Sequence, residues 1–484
     1  MTKKKVEELT IEEKLNNALI PVDKQPYEIP KNWCWVRLDS VINLYRGVSY
    51  GKNDAHKKKE KDDILILRGG NLGEGYIQIE TDNIYVNKNL VNPVQIVKKH
   101  DVLIVSSTGS STVIGKAGIS NIDYSDVAFG AFLMLARPKE RFNKSYINYF
   151  FLTDIYRHRI RLLANGTNIN NVRVEHVNGT TFPLPPLVEQ ERIVNKLDNY
   201  ISKLNEAKEK LEKVVDTYNY RKNLILHKAF IGQLTKNWRK ENPNIELNED
   251  IKNKAITKDS MLPDEYLYEI PENWRWVRLG DIGEIVTGST PNTKDKSYFG
   301  GDVLFIKPTE LDQEKNIISS AETLTEKGKQ ISRPVRKGST CLCCIGSTIG
   351  KCGFLTVEAV TNQQINTVVP YDFLDDLFVY YYCCSKYFKI VVNERSYGNT
   401  LPIINKTKTS KLPFPLPPLE EQKEIVKILD SILLKEKQVK EIAEKEIERV
   451  EDLKKNLLTR AFGGILGTND PNEENSIELL KTVL

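Results

Sequence analysis

The sequence predicts an α+β protein: two mixed α/β domains in a pseudo-two-fold arrangement, separated by two long antiparallel coiled-coil helices. Three observations carry this. The chain repeats itself, the second half of each repeat keeps a fixed length, and that half reads as one long helix. The first half of each repeat reads instead as short strands between turns.

The repeat is visible in four places. Ile29–Leu38 (IPKNWCWVRL) matches Ile270–Leu279 (IPENWRWVRL) at eight of ten positions, offset by 241. Gly115-Lys116 matches Gly350-Lys351 at 235. Phe182–Gln190 (FPLPPLVEQ) matches Phe414–Gln422 (FPLPPLEEQ) at 232, and Leu226–Leu234 (LHKAFIGQL) matches Leu458–Leu466 (LTRAFGGIL) also at 232. The offset is constant from Tyr149/Tyr381 onward and drifts before that point. Fixed length implies fixed geometry; drift implies variable loops.

The fixed half is helical. About 42 residues free of Gly and Pro follow Pro185-Pro186 and Pro417-Pro418. Glu189 and Glu420-Glu421 suit the positive end of a helix dipole. Val194, Leu197, Ile201, Leu204, Leu211, Val215, Tyr218 and Ile225 recur at heptad spacing. Val426, Leu429, Leu433, Ala443, Ile447, Val450 and Leu457 do so in the second copy. Lys208 and Lys222 interrupt the seam, as Lys440 and Lys454 do. Each helix should be roughly 60 Å long, and its natural partner is its own copy.

The variable half is mixed. Ile64–Leu67, Val102–Val105 and Ala131–Ala136 read as buried strands, with Val303–Ile306, Thr340–Cys344 and Thr367–Val369 in the second copy. Tyr146–Tyr156 and Phe378–Phe388 read as one buried aromatic helix each. The expected organisation is an N-terminal extension (1–28), a first mixed domain (29–182), a first long helix (183–235), a linker (236–262), a second mixed domain (263–413), a second long helix (414–467) and a tail (468–484).

The chain has 484 residues, about three times a typical domain. Charged residues make up 28%, and no run of 18 apolar residues exists, so no membrane span is expected. The first residues carry no secretory pattern, and a cytoplasmic location is expected. Seven cysteines in an uneven cluster argue against a disulfide framework. Net charge is only +5, but residues 29–182 carry 21 basic against 14 acidic groups and residues 270–413 carry 18 against 15. The excess sits in the two mixed domains, as expected if they approach phosphates.

Several motifs tempt and fail. Gly109–Ala117 and Gly346–Cys352 have the wrong spacing for a nucleotide-binding loop, and neither Lys is followed by Ser or Thr. A turn bringing a Lys near DNA phosphates and a plain hairpin both remain open. Cys341–Cys344 has CxxC spacing, but Leu103 and Val105 stand opposite Cys341 and Cys343, so small buried apolar residues are the better reading. The LPPL segments at Leu184–Leu187 and Leu416–Leu419 lack the polar first and aromatic fourth residues of an amino-methyltransferase motif. They read as helix starts. No nuclease, zinc-hydrolase or serine-nucleophile constellation stands out, so a non-catalytic chain is expected.

The tandem PLPPLxEQxxIV…AFxGxL segments, each preceded by IPxxWxWVRL, resemble the specificity subunit of type I restriction–modification systems over nearly the whole chain. The resemblance implies a target recognition domain in each mixed block, each reading half of a bipartite asymmetric site on double-stranded DNA. It implies that the helices set the spacer and dock two modification (adenine-N6 methyltransferase) subunits, with two restriction subunits in a full complex. S-adenosylmethionine, ATP and magnesium belong to those partners, with no cofactor or metal on this chain. Two alternatives stand beside it: a related methyltransferase system without the type I motor, and a coiled-coil assembly protein that does not bind DNA.

Candidate base and phosphate contacts lie on loops after strands. Arg68 and Asn71 align with Lys307 and Glu310, residue types that suit guanine, adenine and cytosine edges. Ser106, Ser107, Thr108 and Lys116, with Ser347, Thr348 and Lys351, form a second loop pair. Asn362, Gln363 and Gln364 form a third patch whose first-repeat counterpart is apolar. Asn165–Asn171 reads equally as a turn.

Overall fold

The computed structural model describes residues 10–80, 83–164, 170–247, 249–257, 260–262, 267–312, 316–398 and 401–484. The chain forms two compact units: Met1–Leu211 with Lys445–Leu484, and Glu212–Glu444.

In the first unit the tryptophan segment is a strand, Cys34–Arg37, paired antiparallel with Thr181–Leu184 so that Trp35 faces Pro183. The FPLPPL motif therefore begins as a strand before it starts a helix. A proline fits there because Thr181–Leu184 pairs on one side only among the described residues, with Cys34–Arg37. The second unit repeats this: Arg275–Arg278 pairs with Pro413–Leu416, with Trp276 facing Pro415. The two signature motifs of each repeat thus tie the ends of its domain together.

Between them lie two sheets. In the first unit Ile42–Arg46, Leu133–Pro138, Val102–Val105 and Ala117–Ile119 form an antiparallel sheet in that order. Tyr85–Asn87, Asp63–Leu67 and Val127–Phe129 form the other, the last two strands parallel. Val102 and Ile104 face an aromatic core, while Leu103 and Val105 face a second core with Leu67, Phe129 and Leu135. Both faces are buried, so the strand reads as an unbroken apolar run.

The second unit follows the same plan. Gly283–Thr287, Ile365–Pro370, Thr340–Cys343, Cys352–Leu355 and Asn316–Ile317 form one sheet. Glu322–Leu324, Phe299–Ile306, Ala359–Thr361 and Pro334–Val335 form the other, with Phe299–Ile306 parallel to Ala359–Thr361. Leu342 faces the aromatic core, and Cys341 and Cys343 face the second one. They occupy the places of Leu103 and Val105. Burial pushes the Cys341 thiol up to about 12, as befits a packed rather than reactive cysteine.

The aromatic stretches differ from expectation. Each is two helices: Lys144–Phe150 then Asp154–Leu163, and Asp376–Cys383 then Lys386–Arg395. The Thr153 hydroxyl accepts the Tyr156 N–H at 3.2 Å, and Ser385 accepts the Phe388 N–H at 3.2 Å. These hydroxyls cap a new helix where hydrophobicity alone suggested continuation.

The long helices also differ from each other. The second runs unbroken from Leu419 to Phe462. The first is Leu187–Asp216 followed by Tyr218–Phe230. At the break the Arg221 guanidinium donates to the Val214 carbonyl at 3.0 Å, and the Thr217 hydroxyl donates to Lys213 at 2.6 Å. A side chain inserted into the carbonyl ladder is a recognised cause of a kink. Leu453 holds the place of Arg221 in the second copy.

Within each unit the helix segments pair antiparallel. In the first, Lys208 meets Glu451 at 2.8 Å and Lys196 donates to the Leu466 carbonyl at 2.9 Å. In the second, Arg221 meets Glu436 at 2.8 Å and the Lys440 ammonium sits 5.3 Å over the Tyr218 ring. Lys208 and Lys440, which interrupt the heptad seam, reach across it.

The end of each repeat lies in the unit built around the other repeat's domain. Phe462 packs on Tyr146 and Phe150, with centroids at 4.8 and 5.5 Å. Phe230 packs on Phe378 and Tyr382 at 5.4 and 5.3 Å. The segment read as a linker contains the helix Lys236–Glu241 and a buried Leu247. The tail contains the helix Ser476–Lys481, with Leu480 in the first unit's core.

Each long helix starts from a polar seat. Gln190 accepts the Asn143 N–H at 3.0 Å and donates to the Pro185 carbonyl at 2.9 Å. Gln422 accepts from Asp375 and donates to Pro417, each at 2.9 Å. Beside them Glu189 and Glu421 are fully buried. Glu189 accepts from Asn469 and Thr468 of the tail, at 2.9 and 3.0 Å, and from Arg192. Glu421 accepts from Thr235 at 2.7 Å, Asn273 at 3.1 Å and Trp274 at 2.9 Å, and pairs with Arg239. These glutamates do more than suit the helix dipole: each carboxylate is the hub that holds a helix end in the opposite repeat's domain.

Candidate nucleic-acid interface

Four loops meet at one edge of each unit's paired sheets, joined by backbone hydrogen bonds. In the first unit Val48 donates to the Phe129 carbonyl at 2.7 Å and Gly130 to Leu67 at 2.9 Å. Ser106 donates to Phe132 at 2.9 Å and Val172 to Ser106 at 2.8 Å. In the second, Ser289 donates to Thr361 at 2.8 Å and Asn362 to Ile306 at 2.9 Å. Cys344 donates to Gln364 at 2.8 Å and Ile404 to Cys344 at 2.9 Å. The frame is built twice, and the side chains on it differ.

All three predicted patches come together here. Asn71 is 1% exposed; its carbonyl oxygen accepts the Arg68 N–H at 2.8 Å and its amide donates to Gln78 at 3.1 Å. Glu310 is 5% exposed and accepts the Lys307 N–H at 2.9 Å and the Thr309 hydroxyl at 2.9 Å. The aligned pairs share one geometry: the second residue caps the turn that carries the first. Arg68 is half-buried. Lys307 pairs with Glu322 at 2.8 Å.

Ser106 is buried, whereas Ser107 and Thr108 are half-buried and pair with Asn171 and Asn170. Residues 165–169 of the Asn-rich stretch lie outside the described residues. Lys116 closes a loop between the antiparallel strands Val102–Val105 and Ala117–Ile119. Lys351 does the same between Thr340–Cys343 and Cys352–Leu355. The spacing difference between these two motifs is therefore a difference in hairpin loop length. Ser347 and Thr348 are exposed on the second loop. Asn362 is 7% exposed and bonds Gln364, whereas Gln363 is exposed and accepts the Thr290 hydroxyl at 2.5 Å.

Other participants escaped the sequence reading. Gly47 and Gly288 begin the fourth loop, and a Cβ on them would lie 2.1 Å from the Gly130 carbonyl oxygen and 2.2 Å from that of Asn362. Only glycine permits that approach. They stand 241 apart, the offset of the tryptophan segment, which is the signal that would have found them. Arg157 and Arg161 of the Asp154–Leu163 helix both donate to the Thr112 carbonyl at 3.0 Å, bracing the Lys116 loop. Burial lowers the Arg157 pKa against the opposing pull of Glu74, 3.4 Å away. Phe132 is 68% exposed at the centre of the cluster.

No helix among the described residues is long and apolar enough to cross a membrane. A type I restriction modification DNA specificity domain matches residues 30–216 and again 271–449. The StySPI type I specificity subunit of Salmonella potsdam is 25% identical over 452 residues, 91% of this chain and 90% of that protein. The EcoKI specificity subunit of Escherichia coli K12 is 31% identical over 216 residues, 45% of this chain and 46% of that one. Among solved structures, the HsdS subunit from Thermoanaerobacter tengcongensis shares the fold with a TM-score of 0.55 at 19% identity, over 92% of this chain and all of that one. A chain from a study of complex assembly and conformational transition in the type I system does so at 0.65 and 18%, over 91% and 100%. With its specificity domain matched twice, at the repeat found in the sequence, the chain belongs to the type I restriction–modification DNA specificity family.

Proposed function

We propose that this type I DNA specificity subunit reads a bipartite site on double-stranded DNA, one half-site with each four-loop cluster, and that its long helices set the spacing between half-sites. The observation that carries the reading is the duplicated loop frame, held by main-chain bonds and bearing different side chains in its two copies. Two equal frames with unequal tips suit two different half-sites. The basic excess in both domains supports a phosphate-contacting surface.

Asn71, Glu310 and Asn362 act as turn caps that aim neighbouring side chains. Arg68, Ser107, Thr108 and Lys116 in the first cluster, and Lys307, Ser347, Thr348, Lys351, Gln363 and Gln364 in the second, face the DNA. Exposed apolar side chains on the long helices, among them Tyr220 and Leu224, then Leu434 and Ile442, offer docking area for two modification subunits, joined by two restriction subunits in a full complex. S-adenosylmethionine, ATP and magnesium act on those partners, in the cytoplasm, and this chain contributes no catalytic group.

Methylation sequencing of a host carrying the chain with its modification partner tests this. One new bipartite asymmetric motif carrying N6-methyladenine is expected. An active partner that produces no such motif overturns the reading.

A further inference from the structure

We infer that Phe132 is a specificity-determining residue that reads a thymine through its 5-methyl group in the half-site taken by the first unit. The inference rests on the loop clusters being the DNA-reading surfaces. Phe132 sits on the turn between Val127–Phe129 and Leu133–Pro138. Its main chain is fixed from several sides. Its carbonyl accepts the N–H groups of both Ser106 and Ser107, at 2.9 and 3.2 Å, and the turn closes through Leu133 donating to Gly130 at 2.9 Å. The strand begins at Leu133, which is in the core at 0% exposure, whereas Phe132, on the turn just before it, is 68% exposed.

The frame thus fixes where the ring stands, as an exposed apolar group beside the polar tips Ser107, Thr108 and Asn171. In the major groove the feature that an apolar side chain distinguishes is the thymine methyl. The second unit makes the opposite choice on the same frame. The Gln364 carbonyl accepts the Cys344 N–H as the Phe132 carbonyl accepts that of Ser106, and the Gln364 side chain is an amide. One register position thus carries an apolar reader in one unit and a polar one in the other.

The test uses the full chain in complex with its modification subunits, on duplexes whose half-site thymines are replaced one at a time by deoxyuridine, which lacks the methyl. In the wild-type complex one replacement in the first unit's half-site should weaken binding roughly four-fold, the factor for about one buried methyl. Phe132→Ala should erase that difference, and Phe132→Leu should keep part of it. Phe132 is exposed, so neither variant threatens folding. The inference is overturned if no deoxyuridine position in that half-site matters, or if Phe132→Ala retains the penalty. Uniform weakening of Phe132→Ala on every sequence, the signature of a non-specific wedge, also overturns it. Failure of the underlying reading looks different: the wild-type complex would show no sequence preference at all.

Discussion

The helix seats and the loop clusters are both built twice, yet they keep different things. In the seats the hydrogen bonds come from side chains, and the side chains are the same. Gln190 and Gln422 make the same two bonds, and Tyr149 to Asp198 recurs as Tyr381 to Asp430. In the clusters most recurring bonds run from backbone to backbone, the caps Asn71 and Glu310 apart, and the side chains change. Gly130, Ala131 and Phe132 stand where the other copy has Asn362, Gln363 and Gln364. A seat cannot lose its glutamine without leaving a buried N–H and C=O unpaired. A loop can exchange its tip and keep every frame bond. That is a physical basis for changing what is read while preserving what holds.

The comparison breaks most visibly at Glu421. Its buried carboxylate pairs with Arg239 and accepts from three other groups. Glu421→Ala should cost about 3–5 kcal/mol, because it leaves the half-buried Arg239 guanidinium and the buried Trp274 N–H without their acceptor. Denaturant titration of the full chain measures this. A loss under 1 kcal/mol would mean the seat does not hold the helix end.

The two seats are not perfect copies. Trp274 donates to Glu421, whereas the equivalent Trp33 Nε1 is buried without a hydrogen-bond partner, since Glu189 is occupied by the tail and Arg192. Tryptophan to phenylalanine removes similar volume at both sites. Trp274→Phe should therefore destabilise more than Trp33→Phe by about 1.5–3 kcal/mol, the range for a hydrogen bond to a charged group. Equal losses would show that packing alone retains both tryptophans.

Glu189 extends the contrast to pH. Burial raises its carboxyl pKa, but the Asn469 N–H, Arg192 and Thr468 outweigh burial and hold it below the ordinary 4.5. A carboxylate depressed in the folded state stabilises above its unfolded pKa and loses that contribution as pH falls toward the folded one. Thermal unfolding followed from neutral pH to below 4.5 should show a decline that Glu189→Gln shows less steeply. Parallel declines would place the acid sensitivity elsewhere.

The same division governs what the sequence revealed. Side-chain bonds leave residues behind, so PLPPLxEQ and the constant offset of 232 were legible, and with them the helices and domain order. Main-chain bonds leave almost no residue signature. The convergence of four loops was thus invisible, apart from Gly47 and Gly288. Asn71 and Glu310 stood out as polar residues at aligned positions, but burial turns them into turn caps. The break at Thr217 was missed because Arg221 lies where any charged surface residue would fit a heptad, and its bond to Val214 appears only in three dimensions.

The smallest predicted effect tests whether the clusters separate holding from reading. Lys116 is braced by Arg157 and Arg161 through the Thr112 carbonyl, so its loop keeps its shape without the lysine. Its ammonium touches no acidic group among the described residues, which leaves it available to a phosphate. A phosphate contact carries no base information. Lys116→Ala should therefore weaken binding equally on cognate and altered sites, and should flatten the slope of log affinity against log salt by about 0.9. Stability should stay within about 0.5 kcal/mol of wild type, as for most surface substitutions. If Lys116→Ala instead relaxes discrimination at one base pair while the salt slope stays unchanged, the lysine reads a base, and the hairpin belongs with Phe132 among the readers.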